Sequence, residues 1–242
     1  MNKKFELTTE TKVVFGITLH RIRALVAFGS VEAGELGGWI EKEENLSADG
    51  NAWVSGNAWV SGNARVSGNA RVYGNAWVSG NAWVSGNAWV SGNARVSGNA
   101  WVSGNARVYG DARVYGDARV SGNAWVYGDA WVYGDAQVSG NARVSGNAWV
   151  SGNARVSGNA RVYGAGAIFW VGGVGSRNGT TTFFACKDKK IRVVCGCFFG
   201  TLDEFSRAVS KTHGNSEYAK VYMLAIEMAK ARIDLSKVEI DE

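Results

Sequence analysis

The chain has 242 residues, with 33 Gly, 11 Trp and no Pro, which is enough for one extended repeat domain and one or two small flanking modules. The net charge of +5 is localised: residues 51–164 hold nine Arg, no Lys and four Asp, while the remainder balances 17 basic against 17 acidic residues. No stretch approaches the ~18 apolar residues of a membrane span, and the opening MNKKFELTTETK has no apolar core behind its lysines, so a secretory signal is not expected and the cytoplasm is the expected location.

Residues 1–46 read as an N-terminal β cap. Val13, Val14, Ile17, Leu19, Ile22, Ala24 and Val26 predict a hairpin leading through GELGGWIEKEENLS into the segment that follows. The stretch LHRIRALVAFGSVEAGELGGWIEKEENLS resembles the N-terminal region of YdcK-like hexapeptide proteins and of uncharacterised prophage-encoded relatives, with Arg21, Arg23, Gly37, Gly38 and Trp39 as the matching positions. The resemblance implies a fold and a phage origin, and no established chemistry.

Residues 47–164 are dominated by a strict six-residue period. From Asn51 to Gly164 the text is Asn/Asp-Ala-X-Val-Ser/Tyr-Gly, with X equal to Trp, Arg or once Gln, in nineteen unbroken copies. Such a pattern resembles the hexapeptide left-handed parallel β-helix, in which three copies make one triangular coil. Ala and Val alternate with X, so they point inward and X faces water. Gly and Asn/Asp fall at corners, where the backbone needs conformations that other residues resist. Nineteen copies make about six coils, and the left hand is an implication of the resemblance.

Every third copy shares a wall. The first wall carries Trp53, Arg71, Trp89, Arg107, Trp125, Arg143 and Arg161; the second Trp59, Trp77, Arg95, Arg113, Trp131 and Trp149; the third Arg65, Trp83, Trp101, Arg119, Gln137 and Arg155. Trp over Arg permits cation–π contacts. The corner after the third wall is all Ser, at Ser67, Ser85, Ser103, Ser121, Ser139 and Ser157, whereas the other two corners carry six Tyr. A smooth edge of this kind is expected to lie against another chain or a terminal element. Nine coil Trp at outward positions predict self-association, and the resemblance to the hexapeptide class implies a trimer first and a dimer second.

Residues 165–242 leave the period and read as a small α+β module. Strands are expected at Ile168–Val174, Thr180–Cys186 and Ile191–Cys195. Thr201-Leu-Asp-Glu204 is a capping box opening a helix that runs to about Thr212, with Gly214 as its stop. A second helix from Ser216 is expected to bury Tyr218, Val221, Tyr222, Ala225, Met228 and Ala229. The text GSRNGTTTFF, CGCFFGTLDEF, THG and EYAKVYMLAIE resembles a C-terminal domain of the same uncharacterised prophage-type proteins.

Acyl transfer is the enzymatic alternative, because hexapeptide β-helices often serve acyltransferases. Those enzymes need a histidine base beside a cleft, and this chain has only His20 and His213, both outside the coils. Three histidines for a zinc-dependent anhydrase are lacking, and Cys186, Cys195 and Cys197 read as buried thiols more readily than as zinc ligands, so no metal or other cofactor is expected. Arg for charge and Trp for stacking raise nucleic acid as a partner, but Lys is absent from the coils, Arg is spread over three walls, and Asp111, Asp117, Asp129 and Asp135 dilute the field. The densest ligand-like polar set is Ser176, Arg177, Asn178, Thr180, Thr181, Thr182 and His213. The resulting expectation is a non-catalytic binding or scaffolding protein, a phage-type accessory engaging a host protein or small ligand through its C-terminal module, with a purely structural rod as its rival.

Overall fold

The computed structural model describes residues 3–238. Its organising element is a parallel β-solenoid of about seven turns, one more than the hexapeptides alone provide. Nineteen short strands, β4 (Trp53–Val54) to β22 (Arg161–Tyr163), each hold one X–Val pair. They form three parallel sheets in which each strand pairs with the strand eighteen residues away, such as Trp89 with Arg107 and Val90 with Val108. The walls read from the sequence are these three sheets. The additional turn comes from the segment before the repeat: β3 (Leu36–Ile40) pairs in parallel with the strand at Trp59, and Leu46 bridges Val66. No period marks it, because Leu36-Gly-Gly-Trp-Ile40 follows the wall without obeying the hexapeptide.

Alternation sets the core. Every repeat Ala and Val is buried, so Val stacks on Val and Ala on Ala along the axis. The coils are held together by backbone bonds: the Trp101 N–H donates to Ala118 O at 2.9 Å, Ser103 N–H to Val120 O at 2.9 Å and Asn105 N–H to Gly122 O at 2.8 Å. At the corners, Asn side chains repeat the ladder, with Asn69 Nδ2 donating to Asn87 Oδ1 at 3.0 Å and Asn87 Nδ2 to Asn105 Oδ1 at 3.1 Å.

Both ends of the stack expose unpaired backbone groups, and each is covered by matching chemistry. At the start, β1 (Phe5–Val14) and β2 (Ile17–Ala24) form an antiparallel hairpin that continues the second wall onto β3. First-coil carbonyls that the irregular preceding turn does not reach with its backbone receive side-chain donors: the buried Asn45 Nδ2 donates to Gly62 O at 3.0 Å and Ala64 O at 2.8 Å, and Lys4 Nζ donates to Ala52 O at 3.0 Å. Burial pulls the Lys4 ammonium down to a pKa of about 8, with Asp49 opposing the shift. At the far end an N–H needs an acceptor, and the Arg155 N–H donates to Thr182 Oγ1 at 3.0 Å. The cap also covers two outward tryptophans. Trp53 packs edge-on against Phe28, and Trp59 lies among Leu19, Trp39 and Trp77, so both are buried although their positions face outward. Arg21 and Lys12 lie over the Trp39 ring.

Beyond the coils, β23 (Ile168–Val174), β24 (Gly179–Ala185), β25 (Ile191–Cys195) and β26 (Phe198–Thr201) make an antiparallel sheet covered by α1 (Leu202–His213) and α2 (Glu217–Arg232). The capping box is formed: Glu204 N–H donates to Thr201 Oγ1 and Thr201 N–H to Glu204 Oε2. α2 buries Ala219, Tyr222, Ala225, Ile226 and Ala229, which leaves Tyr218, Val221 and Met228 exposed, a rotation from the expected face. The small alanines permit close approach to the sheet, and that contact decides the face. Among the described residues no helix is long and apolar enough to cross a membrane.

The corner glycines stack as tightly as the core. Gly98 has φ +69°, and a Cβ there would lie 2.8 Å from Gly116 N. Gly98→Ala is therefore expected to cost on the order of 1–3 kcal/mol in strain and displacement, read as a lower urea midpoint; an unchanged midpoint would contradict this packing.

Candidate functional site

The C-terminal module holds a cleft of about 280 Å³ between the β23–β24 turn, the β25–β26 hairpin and the two helices. Its floor is apolar, built from Val174, Phe198, Phe205 and Val209. Its rim carries Ser176, Arg177, Thr180, Thr212 and His213. Ser176 and Arg177 reach it because the chain reverses there through Gly175, whose φ is +74° and whose absent Cβ makes room for the Tyr222 hydroxyl, 1.9 Å from where that Cβ would stand. His213 arrives from the last turn of α1 and lies 5.7 Å from the Tyr222 ring, centroid to centroid.

A short polar relay lies inside the cleft. Thr181 Oγ1 donates to Cys195 Sγ at 3.2 Å, and Cys195 Sγ donates to Tyr222 Oη at 3.7 Å. Burial, with the Cys195 contact adding to it, pushes the Tyr222 phenol up to about 12, while Arg177 pulls the other way. The hydroxyl stays protonated at neutral pH and is available as a hydrogen-bond donor. A guanidinium, an imidazole and hydroxyls around an apolar floor suit a small ligand with one anionic end and one apolar end.

Four of the seven sequence candidates, Ser176, Arg177, Thr180 and His213, meet at this cleft. The other three do different work. Asn178 adopts φ +49° in the turn, and its N–H donates to Gly175 O. Thr181 is buried behind Cys195, and Thr182 faces the last coil. Strand alternation separates Thr181 from Thr182, whose side chains leave opposite faces of β24, while Thr180 borders the cleft at the turn end of the strand. Sequence reasoning missed Tyr222 as a cleft residue: the helical pattern marks it as core, and only the positive-φ Gly175 shows where its hydroxyl goes.

The cysteines separate as well. Cys195 and Cys197 border the cleft on either side of Gly196, at the hairpin between β25 and β26, while the buried Cys186 belongs to the junction with the coils, bridging Ala160. Among the described residues no group of three or more His, Cys, Asp or Glu is placed to hold a metal ion. Burial pushes the Cys186 thiol up to about 11. Because the thiolate is the nucleophile, iodoacetamide near pH 8 is expected to modify the exposed Cys197 first and Cys186 last, as followed by peptide mass spectrometry; equal rates at both would contradict this placement.

The outward ladders form a second set of features. Trp59 and Trp77 stack at 4.3 Å, Trp131 and Trp149 at 5.4 Å, and Trp83 meets Trp101 edge-on at 5.2 Å. Arg107 lies between Trp89 and Trp125, at 5.0 and 4.9 Å. Trp83, Trp89, Trp101 and Trp149 remain exposed, and Trp125 is half-buried.

Residues 64–80, 76–92, 88–104, 100–116, 106–120, 112–128, 118–134, 136–152 and 154–167 match the family model described as the YdcK Beta solenoid repeat. None of the curated proteins compared with the chain matches it. The matched residues fall on the coils and cover less than half of the chain, so the coils are similar to the YdcK β-solenoid repeat, and the match carries no information on the cleft.

Proposed function

We propose that this is a non-catalytic binding protein in which the C-terminal cleft captures a small ligand bearing an anionic group, while the solenoid serves as a rigid scaffold. The observation that carries the reading is the convergence of Arg177, His213, Ser176, Thr180 and the Tyr222 hydroxyl on one apolar-floored cleft. Two further features support it. His20 sits on β2 in the capping hairpin and His213 on α1, so neither lies within a repeat coil, where an acyltransferase base would act. A stack capped at both ends by paired backbone is stiff enough to hold the module at a fixed distance from whatever the rod contacts. The solenoid is taken to wind left-handed, as in the hexapeptide class. The resemblance of the N-terminal segment to prophage-encoded proteins adds a phage-type accessory role in the host cytoplasm, with a host protein as the alternative occupant of the cleft.

Ligand-observed NMR with small aromatic carboxylates on the full chain tests the cleft. Hits are expected whose signals are lost with Arg177→Ala and weakened at least tenfold with His213→Ala, at unchanged thermal unfolding. A purely structural rod would give no hits, or hits indifferent to both substitutions.

Self-association is the second part of the proposal. The exposed Trp83–Trp101 pair stands on the third wall, beside the corner whose outward residues are all Ser. That combination of apolar rings and a smooth edge supports contact between copies, in a trimer or, second, a dimer. Sedimentation equilibrium is expected to show the oligomer, with Trp101→Ser shifting it toward monomer; a wild-type monomer at high concentration would sink this part.

A further inference from the structure

The second wall holds a discontinuity that the cleft does not involve. Along it the outward residues run Trp59, Trp77, Arg95, Arg113, Trp131, Trp149, so two arginines sit in register on adjacent strands, which lie ~4.8 Å apart. Each leans away from the other onto an aromatic ring: the Arg95 guanidinium carbon is 5.6 Å from the Trp77 ring centroid, and that of Arg113 is 4.7 Å from Trp131. Between them opens a cavity of about 300 Å³, with Val96 in its floor and Ser79, Ser97 and Tyr115 at its side.

Like charges directly opposite on neighbouring strands are destabilising. Elsewhere Arg107 is interleaved between two Trp, and Gln137 separates Arg119 from Arg155; Arg143 and Arg161, at the last coil, are the other pair in register. Arg95 and Arg113 have no carboxylate within ion-pair distance among the described residues. Asp111 and Asp117 accept from Asn93 and Asn99 at the corners and do not line the cavity. Two unneutralised forked donors, held apart by tryptophans with hydroxyls beside them, present a concave dication to solvent.

We propose that this cavity binds a small phosphomonoester. The phosphoryl dianion bridges the two guanidiniums, whose parallel N–H groups match its oxygens. Ser97 and Tyr115 donate to the remaining oxygens, and the organic substituent rests on the edges of Trp77 and Trp131. The dianion offsets the Arg–Arg repulsion that the bare wall carries, so binding also tightens the stack between the third and fourth coils.

The test is isothermal titration of the full chain with phenyl phosphate, inorganic phosphate and malonate. Phenyl phosphate is expected to bind saturably and at least tenfold more tightly than inorganic phosphate or malonate. Arg95→Gln and Arg113→Gln are each expected to weaken it tenfold or more, while Arg65→Gln on the third wall leaves it unchanged. If a glutamine variant loses the circular-dichroism spectrum of the solenoid, Arg95→Lys and Arg113→Lys carry the test, since they keep the charge and lose the fork, and the same weakening is expected. Absence of saturable phenyl phosphate binding, or an equal loss with Arg65→Gln, would overturn the site. Equal affinity for inorganic phosphate or for malonate would overturn the phosphomonoester assignment.

Discussion

Every coil residue meets its own equivalent eighteen residues later, joined by the backbone ladder that runs from X and Ser/Tyr N–H groups to Ala and Val carbonyls one turn on. That constraint turns each position of the hexapeptide into a column. Inside, columns of Val and Ala make a core in which each coil relies on its neighbours. Outside, identical chemistry is forced into contact, so Asn donates to Asn, Trp stacks on Trp, and Tyr109 lies on Tyr127 with rings 3° from parallel. A column can be lengthened by any residue that tolerates its own copy above and below. Arg does so most readily where aromatic rings separate the charges, as at Arg107, whereas Arg95 with Arg113 and Arg143 with Arg161 stand in register without one.

The same ladder makes the ends expensive. A coil without a predecessor leaves carbonyls bare, and a coil without a successor leaves N–H groups bare. The chain resolves this asymmetrically. Donors gather at the start, in the Asn45 amide and the Lys4 ammonium, and an acceptor, the Thr182 hydroxyl, meets the last coil. Charging Lys4 in a buried place is costly, and the Gly50 and Ala52 carbonyls to which it donates are the compensation. The N-terminal hairpin and the C-terminal module are thus integral to the stack, and the residues that seal it are distinct from those that line the cleft.

That separation bears on function. Thr181 serves the relay beside the cleft through Cys195, and Thr182, on the opposite face of β24, serves the last coil. One strand therefore joins scaffold and site by its two faces, and substitutions at adjacent residues are expected to act on different properties.

The sequence alone determined the period, the three walls, the inward Ala and Val and both helix starts, because each is set by spacing or by a local hydrogen bond. A strict hexamer admits one register, and Thr201 with Glu204 fixes a helix start without help from the rest of the chain. Tertiary structure decided what lies between elements distant in sequence. The extra turn at Leu36–Ile40 obeys no repeat and is defined by pairing with Trp59. Trp53 and Trp59 are outward by alternation and buried by a cap that closes over them. The face of α2, the place of the Tyr222 hydroxyl against Gly175, and the division of Thr180, Thr181 and Thr182 among three environments follow from packing, since neighbouring side chains on one strand meet whatever the fold brings to each face.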